Sequence, residues 1–199
     1  MSYKNNSNLL ELSTVKLPKP IGIMATDPNG VIGSSEIHSN CGLLWHYPDD
    51  IKHFQNLVKQ QILVMGRQTF MMMPQSILDN CHSIVFSHSK DFSNLSKSKK
   101  AKKIKIVNSL SEYTTLRLSD IATDQDNITI QKKKVFMVGG AKIANLFLKH
   151  RLIDEFILTK INHSYVGDIK IDLNYFEGWN EVIVEKNADY KIVHLHSKS

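Results

Sequence analysis

Short apolar runs recur along the chain and predict the strands of a buried sheet. The clearest runs cover residues 21–25, 61–66, 83–87, 104–107 and 134–140, and residues 31–33 follow the first after a turn. Near-continuous apolar runs of this length are typical of strands that are covered on both faces. Residues 155–161 predict a further strand, and the stretch 180–196 is long enough for a hairpin.

Helical spacing of apolar positions appears between several of these runs. It begins at Pro48, where a proline suits the first turn of a helix, and it recurs over residues 141–148 and more weakly over 109–122. Strands that alternate with helices predict an α/β protein: a single domain with a mostly parallel twisted sheet, helices on both faces and an antiparallel C-terminal edge hairpin. Residues 1–19 are polar and end among prolines, so we expect a flexible extension outside the core and a domain over residues 20–197.

Composition and charge limit the classes of protein to which the sequence can belong. The 199 residues are 42% hydrophobic, which is enough for one domain with a sizeable core. The net charge of +6 includes a run of lysines between positions 97 and 105 that has no interleaved aromatic residues. Such a run is typical of a solvated loop, and the overall charge suits a small phosphorylated cofactor as well as it suits nucleic acid.

Two cysteines, Cys41 and Cys81, lie outside any CxxC pair, which argues against a disulfide scaffold and a structural zinc site. No stretch has the length of a signal-peptide core or of a membrane span, so we expect a cytoplasmic protein.

Adjacent acids at the start of the helix that begins at Pro48 carry the first chemical hypothesis. On a helix Asp50 shares a face with Phe54 and Val58, whereas Asp49 shares a polar face with His53 and points toward solvent. An acid on an apolar face is costly unless it is hydrogen-bonded. Asp50 is therefore either a capping carboxylate or a partly desolvated acid with a raised pKa that grips the cationic or amidine-like edge of a ligand.

Glycines end two of the predicted strands. Gly66 is followed by Arg67 and Thr69, and Gly139-Gly140 precede a helix. Glycine between a strand and a helix lets a phosphate approach free N–H groups, and a guanidinium and a hydroxyl suit the same ligand. Neither stretch is a GxGxxG fingerprint or a Walker loop, but two such ends in one sheet favour a binding cleft at its carboxyl edge.

Motifs for metal or covalent catalysis are missing from the sequence. There is no HExxH, no GxSxG and no cysteine in a nucleophile setting, and His194 and His196 share a strand face that more often lies at the surface than at a metal. We therefore expect no metal, and a catalyst of this kind would take its reactivity from a cofactor.

In their order along the chain these segments resemble the chromosomal type of dihydrofolate reductase. The matching segments are ATDPNGVIG at 25–33, Trp45 with Pro48 and Asp50, VMGRQT at 64–69, Val138-Gly139-Gly140 and Gly167-Asp168. The resemblance covers roughly residues 20–197. It implies reduction of 7,8-dihydrofolate to tetrahydrofolate, in which NADPH gives a hydride to the pterin ring and Asp50 promotes protonation of the ring.

The resemblance also implies roles for individual residues. Those that would bind the substrate are Ile23, Met24, Tyr47, Ile51, Phe54, Leu78, Val138 and Thr159, the last through a hydroxyl that supports Asp50. Those that would bind NADPH are Ala25, Ile32, Gly33, Trp45, Gly66, Arg67, Gln68, Thr69, Ser87, His88, Gly139, Gly140, Ala141, Lys142 and Ile143. Residues 34–44 would form a mobile loop over the nicotinamide.

Departures from the family pattern keep other functions open. Segment 78–83 lacks the arginine that binds the glutamate carboxylate of folate, Leu43-Leu44 replaces Leu-Pro, Ala144 replaces a tyrosine, and residues 167–172 read GDIKID. One alternative is a reductase of a pterin that has no p-aminobenzoyl-glutamate tail. Another is a non-catalytic member that binds RNA or an acidic partner through its lysines. We expect a monomer that acts on dihydrofolate rather than on nucleic acid or a membrane.

Overall fold

The computed structural model of the protein describes residues 12–36, 43–89, 103–123 and 129–198. Several features of the sequence analysis lie outside these ranges. They are the first eleven residues of the predicted extension, the centre of the predicted loop with Cys41, and Lys97, Lys99, Lys100 and Lys102 of the lysine run.

The described ranges contain ten strands and six α-helices, besides a helical turn at residues 12–14. In chain order they are β1 (Ile21–Thr26), β2 (Val31–Gly33), α1 (Pro48–Val58), β3 (Ile62–Gly66), α2 (Arg67–Met72), α3 (Gln75–Leu78), β4 (His82–Phe86), β5 (Lys103–Val107), α4 (Leu110–Thr115), α5 (Leu118–Ile121), β6 (Val135–Met137), α6 (Ala141–Lys149), β7 (Glu155–Ile161), β8 (Ile169–Lys170), β9 (Asn180–Lys186) and β10 (Tyr190–His196). Two 3₁₀ helices, Ile130–Lys132 and Leu173–Phe176, complete the list.

Eight of the strands form one sheet in the order β5-β4-β3-β6-β1-β7-β10-β9. The pairs from β5 to β7 are parallel, and β10 runs antiparallel to both β7 and β9. β2 and β8 form a separate antiparallel pair. The predicted fold class is therefore confirmed, including the C-terminal hairpin at one edge.

Apolar clusters cover both faces of this sheet. On one face Ile23, Ile157 and Ile192 pack with α1, while on the other Phe156 and Leu158 pack with Phe147 of α6. Alternate side chains of β1 and β7 supply the two clusters, as the pleat of a strand requires. Helices on both faces were predicted, and the structure shows them.

At its N-terminal end the described chain departs from the prediction. Leu12 is fully buried in the cluster that contains Phe147, so this part of residues 1–19 does not lie outside the core. The same segment explains why one predicted helix over 109–122 is two short ones. Leu116 and Arg117 are extended, Arg117 forms a bridge with Lys16, and Leu118 N–H donates to the carbonyl of Val15 at 3.0 Å.

The edge strand β9 is unusually apolar for an exposed element. Val182, Ile183 and Val184 are 57%, 53% and 52% exposed, and β9 pairs with β10 on one side of the sheet. Glu181 and Glu185 flank these residues with charge, a common device at sheet edges. No helix in the described ranges has the length and apolar character to cross a membrane.

Candidate functional site

Asp50 occupies the first turn of α1 and points at the sheet. The Thr159 hydroxyl of β7 donates to Asp50 Oδ1 at 2.6 Å, whereas Asp49 is exposed. α1 begins here because Pro48 takes a first-turn position, and the two acids lie at the end of the helix that favours negative charge. The predicted orientation of the two acids is confirmed.

The surroundings of Asp50 favour its protonated form. Burial raises the pKa of this carboxyl, the Thr159 hydroxyl and the charge of His53 oppose the rise, and Glu185 adds to it. A carboxyl with a raised pKa holds a proton closer to neutral pH than an exposed one. Asp50 is therefore suited to bind a polar ligand edge and to assist proton transfer.

Two pairs of aromatic side chains lie near this acid. The rings of Trp45 and Tyr165 lie 5.3 Å apart, and those of Tyr47 and Tyr190 lie 5.5 Å apart. The hydroxyls of Tyr47 and Tyr165 are 3.5 Å apart, and this contact together with burial raises the pKa of Tyr47 to about 12. Tyr47 is thus a neutral hydrogen-bonding group at physiological pH.

Apolar residues extend the same face of the sheet. Ile23 and Val138 are buried in the cluster that contains Trp45, and Ala25 and Phe54 are partly buried against it. Ile51, directly after Asp50 in α1, is partly exposed. The result is an apolar surface with one acid, which is the usual composition of a small-molecule site.

The two predicted glycine ends meet at the carboxyl edge of the sheet. Gly66 N–H donates to the carbonyl of Gly139 at 2.9 Å, and a Cβ on Gly140 would lie 3.3 Å from Thr69 Oγ1. The Gly139–Gly140 peptide bond is cis, and Gly139 has φ of +107°, which favours glycine. An added side chain at either glycine would crowd Met24 or Thr69, so the backbone stays bare here, and a bare backbone between a strand and a helix suits a phosphorylated cofactor.

Side chains suited to phosphate surround this edge. Arg67 and Gln68 are exposed at the start of α2, and Lys142 is exposed at the start of α6. Ala141 is buried, and Ile143 packs 3.3 Å from the Cβ position of Gly66. The polar and charged side chains of this edge therefore face solvent, and apolar side chains pack beneath them.

β4 supplies the next strand end along the edge. Ser87 is largely buried and its N–H donates to the carbonyl of Val107 at 2.9 Å, while His88 is exposed. Because β4 is parallel to β3, Ser87 and His88 leave the sheet on the same edge as Arg67. The structure thus brings the predicted cofactor residues of β3, β4 and β6 to one edge.

Ile32 and Gly33 lie in β2, which is tied to the segment that precedes β8. Ser35 donates to Asp168 through its N–H at 2.7 Å and its hydroxyl at 2.6 Å, and these bonds lower the pKa of Asp168. A Cβ on Gly167 would lie 2.4 Å from the carbonyl oxygen of Gly33, so the two segments touch through backbone.

Asp27 is a structural residue that the sequence analysis missed. It is buried and accepts the N–H groups of Asn29 and Val31 at 2.8 Å each and that of Tyr165 at 3.0 Å. It therefore fixes the turn after β1 and places Tyr165 against Trp45. The Asp-Pro-Asn-Gly sequence was the available signal for the turn, but nothing local indicated Tyr165.

Two predicted substrate residues lie elsewhere. Met24 packs in the cluster on the opposite face from Ile23, beside Gly139, because neighbours in a strand point to opposite sides. Leu78 is fully buried under α1 and has no surface that a ligand could contact. Neither side chain is therefore exposed on the face that carries Asp50, and their part in substrate binding stays a prediction.

His53 also differs from its predicted place. It is partly buried rather than on a solvent face, and its Nε2 atom is buried without a hydrogen-bond partner among the described residues. His194 and His196 share a face of β10, as predicted, with ring centroids 6.4 Å apart. In the described part of the chain no three His, Cys, Asp or Glu side chains are grouped so as to hold a metal ion.

The fold is that of an α/β protein, and its site has two features. The carboxyl edge of the sheet carries a glycine backbone of the kind that binds phosphate, and an acid lies beside apolar side chains. A family model for dihydrofolate reductase matches residues 21–196. The chain belongs to the dihydrofolate reductase family.

Individual relatives agree with this assignment. The chain is 30% identical over 161 residues to a dihydrofolate reductase of Enterococcus faecium, covering 79% of this chain and 81% of that one. It is 23% identical over 163 residues to the type 9 dihydrofolate reductase of Escherichia coli, covering 80% of each. A structure of the Enterococcus faecalis dihydrofolate reductase, complexed with NADP(H) and RAB-propyl, is similar with a TM-score of 0.60 and 22% identity, covering 92% of this chain and 98% of that one.

Proposed function

We propose that the protein reduces 7,8-dihydrofolate to 5,6,7,8-tetrahydrofolate with NADPH. The observation that carries the proposal is Asp50, a partly buried acid hydrogen-bonded to Thr159 of the same sheet in which Gly66 meets Gly139. Membership of the dihydrofolate reductase family and the open glycine edge support the same reaction.

The cofactor is held by the sheet edge. The backbone at Gly66, Gly139 and Gly140 and the side chains of Arg67 and Thr69 take the phosphates. The remaining contacts to NADPH come from Ala25, Ile32, Gly33, Trp45, Gln68, Ser87, His88, Ala141, Lys142 and Ile143. When bound, NADPH supplies the hydride.

Residues around the substrate orient the pterin ring and assist its protonation. Asp50 accepts hydrogen bonds from the amino group and neighbouring ring nitrogen of the pterin, and its raised pKa helps the ring to take up a proton. Ile23, Val138 and Phe54 hold the ring and exclude water. Tyr47 and Ile51 complete the pocket at the start of α1.

The test compares Asp50→Asn with the matched control Asp49→Asn, following NADPH oxidation in the presence of 7,8-dihydrofolate. Loss of an acid–base group costs about 10²–10⁴-fold in turnover, so Asp50→Asn is expected to fall by this factor. Asp49→Asn removes the neighbouring exposed acid and is expected to stay within a few-fold of the natural protein. Equal losses in the two variants would contradict the role of Asp50.

A second candidate substrate is a dihydropterin that has no glutamate tail. Segment 78–83 offers no exposed positive charge to a tail carboxylate, because its exposed residues are Asp79 and Asn80. Cys81 is buried, its thiol donates to the carbonyl of Val58 at 3.2 Å, and burial raises its pKa. Comparison of kcat/KM for dihydrofolate and dihydrobiopterin decides between the two substrates.

The remaining properties follow from this reaction. We infer that the active unit is a monomer and that the site is carried by residues 20–197. Its partners are small molecules rather than nucleic acid, and it draws on the NADPH pool of the cytoplasm. Sedimentation of the purified protein tests the oligomeric state.

A further inference from the structure

Tyr165 lies in the segment between β7 and β8, and three contacts tie it to distant parts of the chain. Its backbone N–H donates to Asp27 Oδ2 at 3.0 Å. Its ring centroid lies 5.3 Å from that of Trp45, and its hydroxyl lies 3.5 Å from that of Tyr47. The next residue, Val166, is 95% exposed, so Tyr165 is turned inward from a segment that otherwise borders solvent.

The backbone contact of Tyr165 is to a well-fixed acid. Asp27 is buried, and its other carboxylate oxygen accepts the N–H groups of Asn29 and Val31 at 2.8 Å each. Hydrogen bonds from backbone N–H groups to a carboxylate are stronger than those between neutral groups. The turn after β1 and the backbone of Tyr165 are therefore held together, and this fixes the position from which the tyrosine side chain extends.

Trp45 depends on packing for the orientation of its ring. The residue is buried, and its Nε1 atom has no hydrogen-bond partner in the part of the chain that the structure describes. The rings of Trp45 and Tyr165 meet at 52°, and their separation is in the range that aromatic pairs prefer. Removal of the Tyr165 ring would therefore leave the indole without this contact.

Tyr47 connects the same tyrosine to the helix that carries the acid. It is the N-cap residue of α1, its carbonyl accepts the N–H of Ile51 at 3.0 Å, and Asp50 lies in the turn that this bond closes. The hydroxyl of Tyr47 contacts that of Tyr165, and its ring lies 5.5 Å from the ring of Tyr190. The side chain of Tyr47 is thus held between two other tyrosines.

We propose that Tyr165 is a positioning residue of the active site, which fixes Trp45 through its ring and Tyr47 through its hydroxyl before the substrate binds. A site that is formed in advance spares the ligand the cost of ordering side chains, and this saving increases affinity. The inference rests on the proposed function for its effect on turnover, whereas the arrangement of the three side chains is a property of the free protein.

The first measurement is made on the full chain without ligand. Labelling with 5-fluorotryptophan gives a ¹⁹F signal for each of the two tryptophans, and Trp179→Phe assigns them. Tyr165→Leu removes the ring and is expected to shift the signal of Trp45 and not that of Trp179. Tyr165→Phe keeps the ring and is expected to leave the Trp45 signal near its natural position.

A tyrosine on the other face of the sheet supplies the matched control for this measurement. Tyr175 is also partly buried, but it packs against the cluster on the face opposite Asp50. Tyr175→Leu is therefore expected to leave the Trp45 signal in place. An unmoved Trp45 signal in Tyr165→Leu, or an equal shift in Tyr175→Leu, would overturn the proposal.

The second measurement is the steady-state rate of NADPH oxidation with 7,8-dihydrofolate. Tyr165→Leu is expected to raise KM for dihydrofolate by about tenfold and to change kcat by less than about threefold, since the lost contacts act on binding rather than on the chemical step. A fall in kcat with an unchanged KM would overturn the positioning role. A natural protein without turnover would count against the proposed function, and the ¹⁹F result would then decide the proposal by itself.

A double-mutant cycle tests the contact between the two hydroxyls. Tyr47→Phe and Tyr165→Phe each remove one hydroxyl and keep the ring, and each is expected to raise KM by about two- to threefold, as for one hydrogen bond between neutral groups. The double variant is expected to lose no more than either single variant, because both changes remove the same contact. Losses that multiply in the double variant would overturn the role of this contact.

Discussion

At the scale of single residues, Asp50 provides the acid of the site and lowers the stability of the folded protein. Burial raises the pKa of its carboxyl above the unfolded value, so the folded protein prefers the protonated form. This preference stabilises the folded protein fully below the pKa that Asp50 has in the unfolded state. The stabilisation is lost as the pH rises through the pKa that Asp50 has in the folded state. At neutral pH the ionised, half-buried acid therefore destabilises the fold.

Asp50→Asn should reverse this cost. The amide is neutral at every pH, so the melting temperature of the variant relative to the natural protein is expected to rise between about pH 4 and pH 8. Calorimetry across this range gives the measurement, and Asp49→Asn is the control with an exposed acid. A difference that stays constant with pH would show that Asp50 does not titrate differently in the folded protein.

Thr159 is expected to set the state of Asp50 through one hydroxyl. Because its hydrogen bond favours the ionised carboxylate, Thr159→Val should raise the pKa of Asp50 further and move the pH profile of kcat/KM upward by about one unit. Thr159→Ser retains the hydroxyl and should leave the profile near its natural place. A valine variant with an unshifted profile would contradict this account.

At the scale of elements, the apolar pattern predicted most of the sheet because the long parallel strands are buried on both faces. β6 is shorter than predicted, since Val138 to Gly140 leave the strand to form the glycine edge. The split into α4 and α5 depends on a backbone contact with Val15, which lies about a hundred residues earlier and leaves no local signal.

The sequence also predicted part of the candidate site, from helical spacing and from the positions of glycines. Asp50 could be chosen over Asp49 from helical spacing, and the two glycine ends from their position after strands. Met24 packs on the opposite face from Ile23, which the resemblance did not indicate because it gave a segment and not the direction of its side chains. The partial burial of His53 depends on the elements that pack against α1, which the spacing along one helix does not contain.

The glycine edge gives a prediction about one backbone position. Gly139→Ala places a Cβ at φ of +107° and 3.3 Å from Met24 Cε, so we expect a loss of about 1–3 kcal/mol of stability and a higher Kd for NADPH. Gly178→Ala is the matched control, since its φ is +77° but no atom lies within 4 Å of the added Cβ. Chemical denaturation and NADPH titration check both effects.

In that comparison the control separates backbone strain from ligand binding. Gly178→Ala is expected to lose stability through strain while its affinity for NADPH is unchanged. A similar rise in Kd in both variants would mean that the loss of affinity reflects general destabilisation rather than the glycine edge.

At the scale of the whole molecule, the segment before β1 is part of the hydrophobic core. Leu12 is fully buried, so Leu12→Ala should lower the free energy of unfolding by about 2–5 kcal/mol. Val15→Ala, at a residue 38% exposed in the same segment, should change it by about 0.5 kcal/mol or less. Urea unfolding of both variants measures the difference, and a loss in Leu12→Ala as small as that in Val15→Ala would mean that Leu12 contributes little to the core.

The order of strands also governs how the chain folds during its synthesis. β1 leaves the ribosome before both of its neighbours in the sheet, β6 and β7. Until both β6 and β7 have emerged, β1 lacks at least one of its partner strands and its apolar side chains have no completed layer to enter. A nascent chain that stalls before residue 161 therefore presents unpaired apolar strands, and it is the species on which we expect chaperones to act.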